Sequence, residues 1–210
     1  MYPFPMRNSA LISLLLFISA CSPSPYLHLK KPDDSNSCIA SLQPRFSTVL
    51  YNAQVNVTGK HLSGLLLFKT MADSSIRVLF TNEMGVTFFD FEFRENAFRV
   101  ISCVKQMNKK VVINRLKSDL ELLLHHGYVS DKAEKFYSGK ESYYLFMKGK
   151  ERVYYISDQV CSQLLRIETA SSRKKKIIVN LAGDGSGMPD SVYLAHQSFE
   201  YNITLKKIPR

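Results

Sequence analysis

The chain has 210 residues, 45% of them hydrophobic and 22% charged, which suits one domain with a real core and leaves no room for several. Its formal net charge of +10 at pH 7 points to phosphate-bearing partners, either nucleic acid or an anionic membrane surface. The N-terminus separates these two.

Residues 1–9 carry one arginine, Arg7, and no acid, and residues 10–18 form a compact apolar run. That run is too short to cross a bilayer as a mature helix and has the build of an export leader. It ends in Ile18-Ser19-Ala20-Cys21, an aliphatic residue and two small ones ahead of a cysteine, which resembles the lipobox read by the lipoprotein signal peptidase. An ordinary secretory signal with a cysteine at that place is the other reading. On either, the chain leaves the cytoplasm and nucleic acid drops out as a partner. The resemblance implies cleavage before Cys21 and lipid attachment to it, the acyl methylenes contributing ~0.8 kcal/mol each to anchoring. Ser22 follows instead of aspartate, which fits sorting to the outer membrane, facing the periplasm. Loss of Arg7 with the leader lowers the formal charge to +9.

Three domains of use follow: a signal peptide at 1–20, a lipidated N-terminus and tether at 21–44, and a body at 45–210. The tether is rich in Ser, Pro, Asp and Asn, which favours an extended chain over a packed element. Cys38, Cys103 and Cys161 lie beyond the leader, and an odd number cannot all pair internally. Cys103 with Cys161 is one candidate pair; three free thiols is the alternative, since spacing does not set connectivity.

In the body, period-two alternation predicts about eleven strands, at 51–59, 62–71, 76–82, 87–94, 97–107, 142–148, 152–157, 163–169, 174–181, 191–197 and 199–206. The clearest is 87–94, with Phe89, Phe91 and Phe93 on one face and Asp90, Glu92 and Arg94 on the other. Turn-forming residues at 72–74, 95–96, 149–150 and 183–189 make an antiparallel meander the natural topology. From 109 to 124 the spacing changes: Val112, Ile113, Leu116, Leu120, Leu123 and Leu124 recur every three or four residues, which predicts an amphipathic helix after the fifth strand. Gly127 is a candidate left-handed helix stop, with His125 and His126 solvated near the negative end of the dipole.

Leu62, Leu66 and Phe68 share one face of the second strand, while Leu65 and Leu67 share the other. A strand apolar on both faces must be covered on both. The same holds for 143–147 and 153–156. A strongly curved sheet around an apolar helix or cavity meets this with one layer; a solid core with loops and tether on the outer face meets it too.

The order of lipobox, tether, five strands, helix and further strands is similar to the outer-membrane lipoprotein receptor of the lipoprotein-localisation pathway, in the LolA/LolB-like superfamily. The more specific pieces are Ser63-Gly64-Leu65-Leu66-Leu67-Phe68-Lys69, Phe80-Thr81-Asn82-Glu83-Met84-Gly85 and Pro189-Asp190-Ser191-Val192-Tyr193-Leu194. The likeness spans about 46–208. It implies a mainly β fold, an unclosed half-barrel whose apolar concave face accepts acyl chains of client lipoproteins. Leu66, Phe68, Phe89, Phe91, Phe93, Leu116 and Leu120 are the candidate lining. It also implies a protruding, membrane-touching loop between the third and fourth strands, to which Met84 ahead of Gly85 corresponds. Glu83 and the methionine depart from the pattern, which has leucine there. An unbranched apolar side chain at a turn tip suits entry into a lipid interface; folding back onto the sheet is the other course open to it.

No catalytic constellation is visible. His28, His61, His125, His126 and His196 lack the helical spacing of zinc ligands. In Gly183-Asp184-Gly185-Ser186-Gly187, Asp184 stands where a nucleophile elbow needs glycine. The basic run 173–176 is either a solvated edge that discourages aggregation or a contact for lipid phosphates or an acidic carrier. The expectation is a monomeric lipoprotein without cofactor or catalysis. It takes acylated clients from a periplasmic carrier and releases them into membrane lipid. The alternative is an envelope-assembly lipoprotein that holds a protein partner on its curved sheet.

Overall fold

The computed structural model describes residues 24–31, 38–95, 97–128, 133–183 and 187–209. Among these, twelve strands form one antiparallel sheet and one long helix lies after the fifth strand. The first arm runs β1 (Thr48–Val57), β2 (Lys60–Thr70), β3 (Ile76–Thr81), β4 (Thr87–Arg94) and β5 (Ala97–Cys103), followed by helix α1 (Lys110–Leu124). The second arm runs β6 (Glu134–Ser138), β7 (Glu141–Lys148), β8 (Glu151–Asp158), β9 (Leu164–Ala170), β10 (Lys175–Ala182), β11 (Ser191–His196) and β12 (Tyr201–Lys207). The spatial order is β5-β4-β3-β2-β1-β12-β11-β10-β9-β8-β7-β6. Thus β1 pairs with β12 at the centre, and β5 and β6 are the edge strands on either side of an open seam. The unclosed sheet expected from the sequence is present, with one strand more than the eleven read there.

The additional strand is β6, Glu-Lys-Phe-Tyr-Ser. It is short, and its two aromatics are adjacent instead of alternating. Pairing to β7, Phe136 opposite Tyr143 and Tyr137 opposite Ser142, holds it as a strand. The fifth strand stops at Cys103, before the expected 107, because the Val104 carbonyl accepts from Met107 and Asn108 N–H groups in a turn that leads to α1.

One face of the sheet holds the main core. Tyr51, Phe68, Val78, Phe91, Val179, Leu194 and Leu205 are fully buried there, and α1 covers them with Leu116, Leu120, Leu122, Leu123 and Leu124. The outer face of β3–β5 is closed by charge: Arg77 pairs with Asp90, and Glu92 accepts from Arg94 and forms an ion pair with Arg99. Gly64 is required on β2, since a Cβ would stand 2.0 Å from the Thr81 carbonyl oxygen.

Alternating strand direction puts the turns on two rims. The β1–β2, β3–β4, β7–β8, β9–β10 and β11–β12 turns and the exit from β5 share the first. The β2–β3, β4–β5, β6–β7, β8–β9 and β10–β11 turns share the second.

The helix ends at Leu124, as its spacing predicted, but the left-handed stop comes two residues before the expected one. His125, not Gly127, is the left-handed stop at φ 52. The His126 and His125 N–H groups donate back to the Glu121 and Leu122 carbonyls, the double closure of a Schellman end. His125 is therefore buried against Tyr155, with ring centroids 4.2 Å apart, and is not a solvated histidine. His126 remains outside, its Nε2 2.7 Å from the Arg94 carbonyl.

The stretch expected as a tether contacts the body wherever it is described. Tyr26 stacks on Tyr154 at 3.9 Å and donates to Glu168 at 2.6 Å, covering the apolar outer face of β7–β9. Lys30 bridges to Tyr137 on β6. Cys38 is bonded to Cys161, and Cys103 is free. The candidate pair Cys103–Cys161 is thus corrected: Cys103 ends β5 on the first rim, whereas Cys161 lies in the β8–β9 turn on the second, beside Cys38. Behind that bond Ile39, Leu42 and Met188 pack into the core.

Breaking the bond with Cys38→Ser is expected to lower unfolding free energy by about 2–4 kcal/mol in denaturant titration, because a long loop is released in the unfolded chain; Cys103→Ser should leave the midpoint in place. Burial holds the His125 imidazole down to about 3, against about 6.5 in the unfolded chain. The unfolded state then binds more protons between those values, so stability falls as pH drops from about 6.5 toward 3. A His125→Asn chain, which tolerates the left-handed backbone and does not titrate, should show a flatter loss of stability from pH ~7 to ~4.

Candidate functional site

The first candidate is the interior between sheet and helix. A cavity of about 40 Å³ lies toward the first rim, walled by Val55, Leu62, Leu66, Phe80, Met107 and Leu116, with Phe89, Leu120 and Ile203 adjoining. Of the expected lining residues, Leu66, Phe89, Leu116 and Leu120 meet this void. Phe68, Phe91 and Phe93 are buried in the same core but do not meet the void. A space of this size has room for water and for no acyl chain, so an alkyl guest enters only if the packing around it gives way.

One polar pair fastens α1 to the sheet inside this apolar setting. The His196 Nε2 on β11 lies 3.1 Å from both carboxylate oxygens of Asp119, and their side chains are 2% and 1% exposed. The Tyr201 phenol stands near that carboxylate without closing a hydrogen bond to it. Burial, reinforced by the Asp119 charge, pushes its pKa well above the usual range, so it stays a neutral phenol. Tyr155 donates to the Leu122 carbonyl at 3.1 Å, a second fixed point near the end of α1. Sequence reasoning missed the pair. The available signal was Asp119 itself, three residues after Leu116 and one before Leu120, an acid inside the apolar stripe.

The open seam is the second feature. A groove of about 540 Å³ runs between the edges, floored by Phe98 on β5, Tyr128 after α1 and Leu145, Phe146 and Met147 on β7. Its sides carry Lys117 and Lys148, both bound to the nearly buried Glu121.

The third feature is the β3–β4 turn. Asn82 closes it, its side-chain oxygen accepting from the Val86 N–H at 2.8 Å while its carbonyl accepts from Gly85. Gly85 sits at φ 81, a backbone that side chains rarely adopt. Met84 is 89% exposed and Val86 50%, so Met84 does not fold back onto the sheet. Cys21, the expected lipid attachment, lies outside the described residues.

Among the described residues no helix is long and apolar enough to cross a membrane, and no group of three or more His, Cys, Asp or Glu is placed to hold a metal ion. No protein-family model matches the sequence, and no curated protein matches it. Among solved structures the chain is similar to a DUF1329 family protein from Desulfovibrio piger ATCC 29098. The identity is 11% and the TM-score 0.45, with 81% of this chain and 88% of that chain covered. It is also similar to a putative outer membrane lipoprotein-sorting protein domain from Vibrio parahaemolyticus. Here the identity is 7% and the TM-score 0.44, with 81% and 87% covered.

Removing one partner of the buried pair leaves the other unsatisfied, so Asp119→Ala should cost about 1–3 kcal/mol in urea unfolding. The double replacement Asp119→Leu with His196→Phe should recover most of that loss, because neither polar group then remains buried alone.

Proposed function

We propose that this chain is an envelope lipoprotein, anchored through Cys21 in the outer membrane. Its apolar interior accepts the acyl chains of client lipoproteins from a periplasmic carrier and passes them into lipid. The observation that carries this reading is the apolar void under a single helix that one buried polar pair holds across an unclosed sheet. Such an interior offers alkyl chains a dry surface at roughly 0.8 kcal/mol per methylene, and the seam leaves the sheet free to widen. Delivery needs no cofactor, since transfer from a protein surface into a bilayer runs downhill for the same apolar groups. Met84, exposed at the turn tip ahead of Gly85, is the side chain that meets lipid at that step in this reading.

A second reading, an assembly lipoprotein that grips a protein on its curved sheet, has an observation of its own. Leu50, Leu67 and Leu79 form a cross-strand row on the outer face of β1–β3, each half-buried, with Ile208 beside Leu50. The two readings differ in what they recognise.

The test mixes residues 22–210 with a carrier loaded with an acylated client, and in parallel with the same client lacking acyl chains. Acyl-dependent transfer is expected; equal capture of both forms would sink the first reading in favour of the second. In the lipid-anchored protein on liposomes, Met84→Glu should accept clients normally. Its release should slow at least tenfold, as an apolar side chain worth about 1.5–3 kcal/mol in lipid is replaced by a charge.

A further inference from the structure

The two rims of the sheet differ in charge. The first carries Lys60 in the β1–β2 hairpin, Lys105 and Lys109 between β5 and α1, Lys150 in the β7–β8 turn, and Arg173 and Lys174 in the β9–β10 turn. All are exposed, and none forms an ion pair among the described residues. Among the described residues the acids of that rim's turns are Glu83, Glu151 and Glu200, and Glu151 is already bound to Lys176 at 3.1 Å. On the second rim the signs are mixed: Asp73 and Asp190 are bound to Arg94 and Lys207, and Glu95, Lys140 and Asp158 lie in or beside its other turns.

Apolar exposure follows the same division. Met84, Val86, Val111 and Phe199 stand out of the first rim at 89%, 50%, 81% and 40% exposure, against Val160 in the second-rim turns. Cations interspersed with protruding apolar side chains match a bilayer interface, with phosphates outside and acyl chains beneath.

The N-terminal segment supplies an independent constraint. Tyr26 is fixed on the outer face by Tyr154, Glu168 and Lys175, at the first-rim end of β9 and β10. Only four residues, 22–25, lie between it and Cys21, and the five residue steps reach at most roughly 18 Å. A lipid on Cys21 therefore holds the bilayer within that distance of the first rim.

We infer that the first rim is a membrane-docking surface that reads anionic phospholipid headgroups, setting the body upright with the Met84 turn and the void toward lipid. The inference rests on lipidation of Cys21 and on no step of acyl capture.

The test uses the processed, lipidated chain in vesicles of phosphatidylethanolamine and phosphatidylglycerol, on a Cys103→Ser background. A fluorophore is attached at Ser172→Cys on the first rim or Val160→Cys on the second, and quenching by a headgroup-labelled lipid is measured. Strong quenching at residue 172 and weak quenching at 160 is expected, with the contrast shrinking in high salt or in phosphatidylcholine. At roughly 1 kcal/mol per cation, each neutralisation lowers the docked population ratio about fivefold. The triple variant Lys60→Gln, Arg173→Gln, Lys174→Gln should therefore lose about a hundredfold. Equal quenching at both positions, or indifference to phosphatidylglycerol, overturns the inference. So does shielding of residue 172 by an acidic soluble carrier with no lipid quenching, which would make the rim a protein contact. Client capture measured on the same samples keeps the readings apart: a triple variant that captures clients but fails to dock leaves the acyl-binding reading standing. Docking without acyl-dependent capture sinks that reading and leaves this one.

Discussion

A single β-layer with an apolar concave face cannot be stable in water unless something covers that face, and α1 is the element that does so. Its apolar stripe lies over a sheet whose inward positions are aromatic and aliphatic from β4 through β1 to β10. Because β5 and β6 stay apart, backbone hydrogen bonds around a ring do not fix the curvature. It is set by what fills the interior. The helix thus serves as core, and the sheet can adapt to what it encloses in a way that a closed barrel cannot.

Within that apolar contact the Asp119–His196 pair sets position more than strength. Hydrophobic packing is non-directional and would allow α1 to slide or rotate, whereas one ring nitrogen shared by both oxygens of a nearly inaccessible carboxylate restricts its placement. A buried pair of this kind is weak as a source of stability and strong as a selector among packings. The Schellman end at His125 and the Tyr155 contact to Leu122 add two fixed points at the C-terminal end of the same helix.

The molecule is also unequal along its strands. At the second rim the Cys38–Cys161 bond brings Ile39, Leu42 and Met188 over the interior, beside a further void of about 40 Å³ lined by Leu42, Leu123, Leu164 and Met188. At the first rim the packing thins into the void beside Met107, and the turns there present free cations and exposed apolar tips. The two ends thus differ in what their turns present and not in how tightly the interior is packed.

Much of this was written in local pattern. Phe89, Phe91 and Phe93 alternate because a pleated strand sends successive side chains to opposite faces, and Leu116, Leu120 and Leu123 recur because a helix turns every 3.6 residues. From those periods follow the strands, the helix after β5 and the membership of the core. The two-sided apolar character of 143–147 likewise announced that something must cover the outer face. What no local pattern carried was which distant groups meet. Cys161 could pair with either remaining cysteine until the sheet put Cys38 beside it. His125 looked like a solvated helix end until Tyr155 on β8 closed over it. Asp119 had no visible partner until β11 arrived across the core with His196, and β6 had too little alternation to declare itself without β7. The sequence determines period and polarity because these depend on neighbours three or four residues away. Partnership across the sheet depends on register and curvature, which exist only once all twelve strands and the helix have packed together.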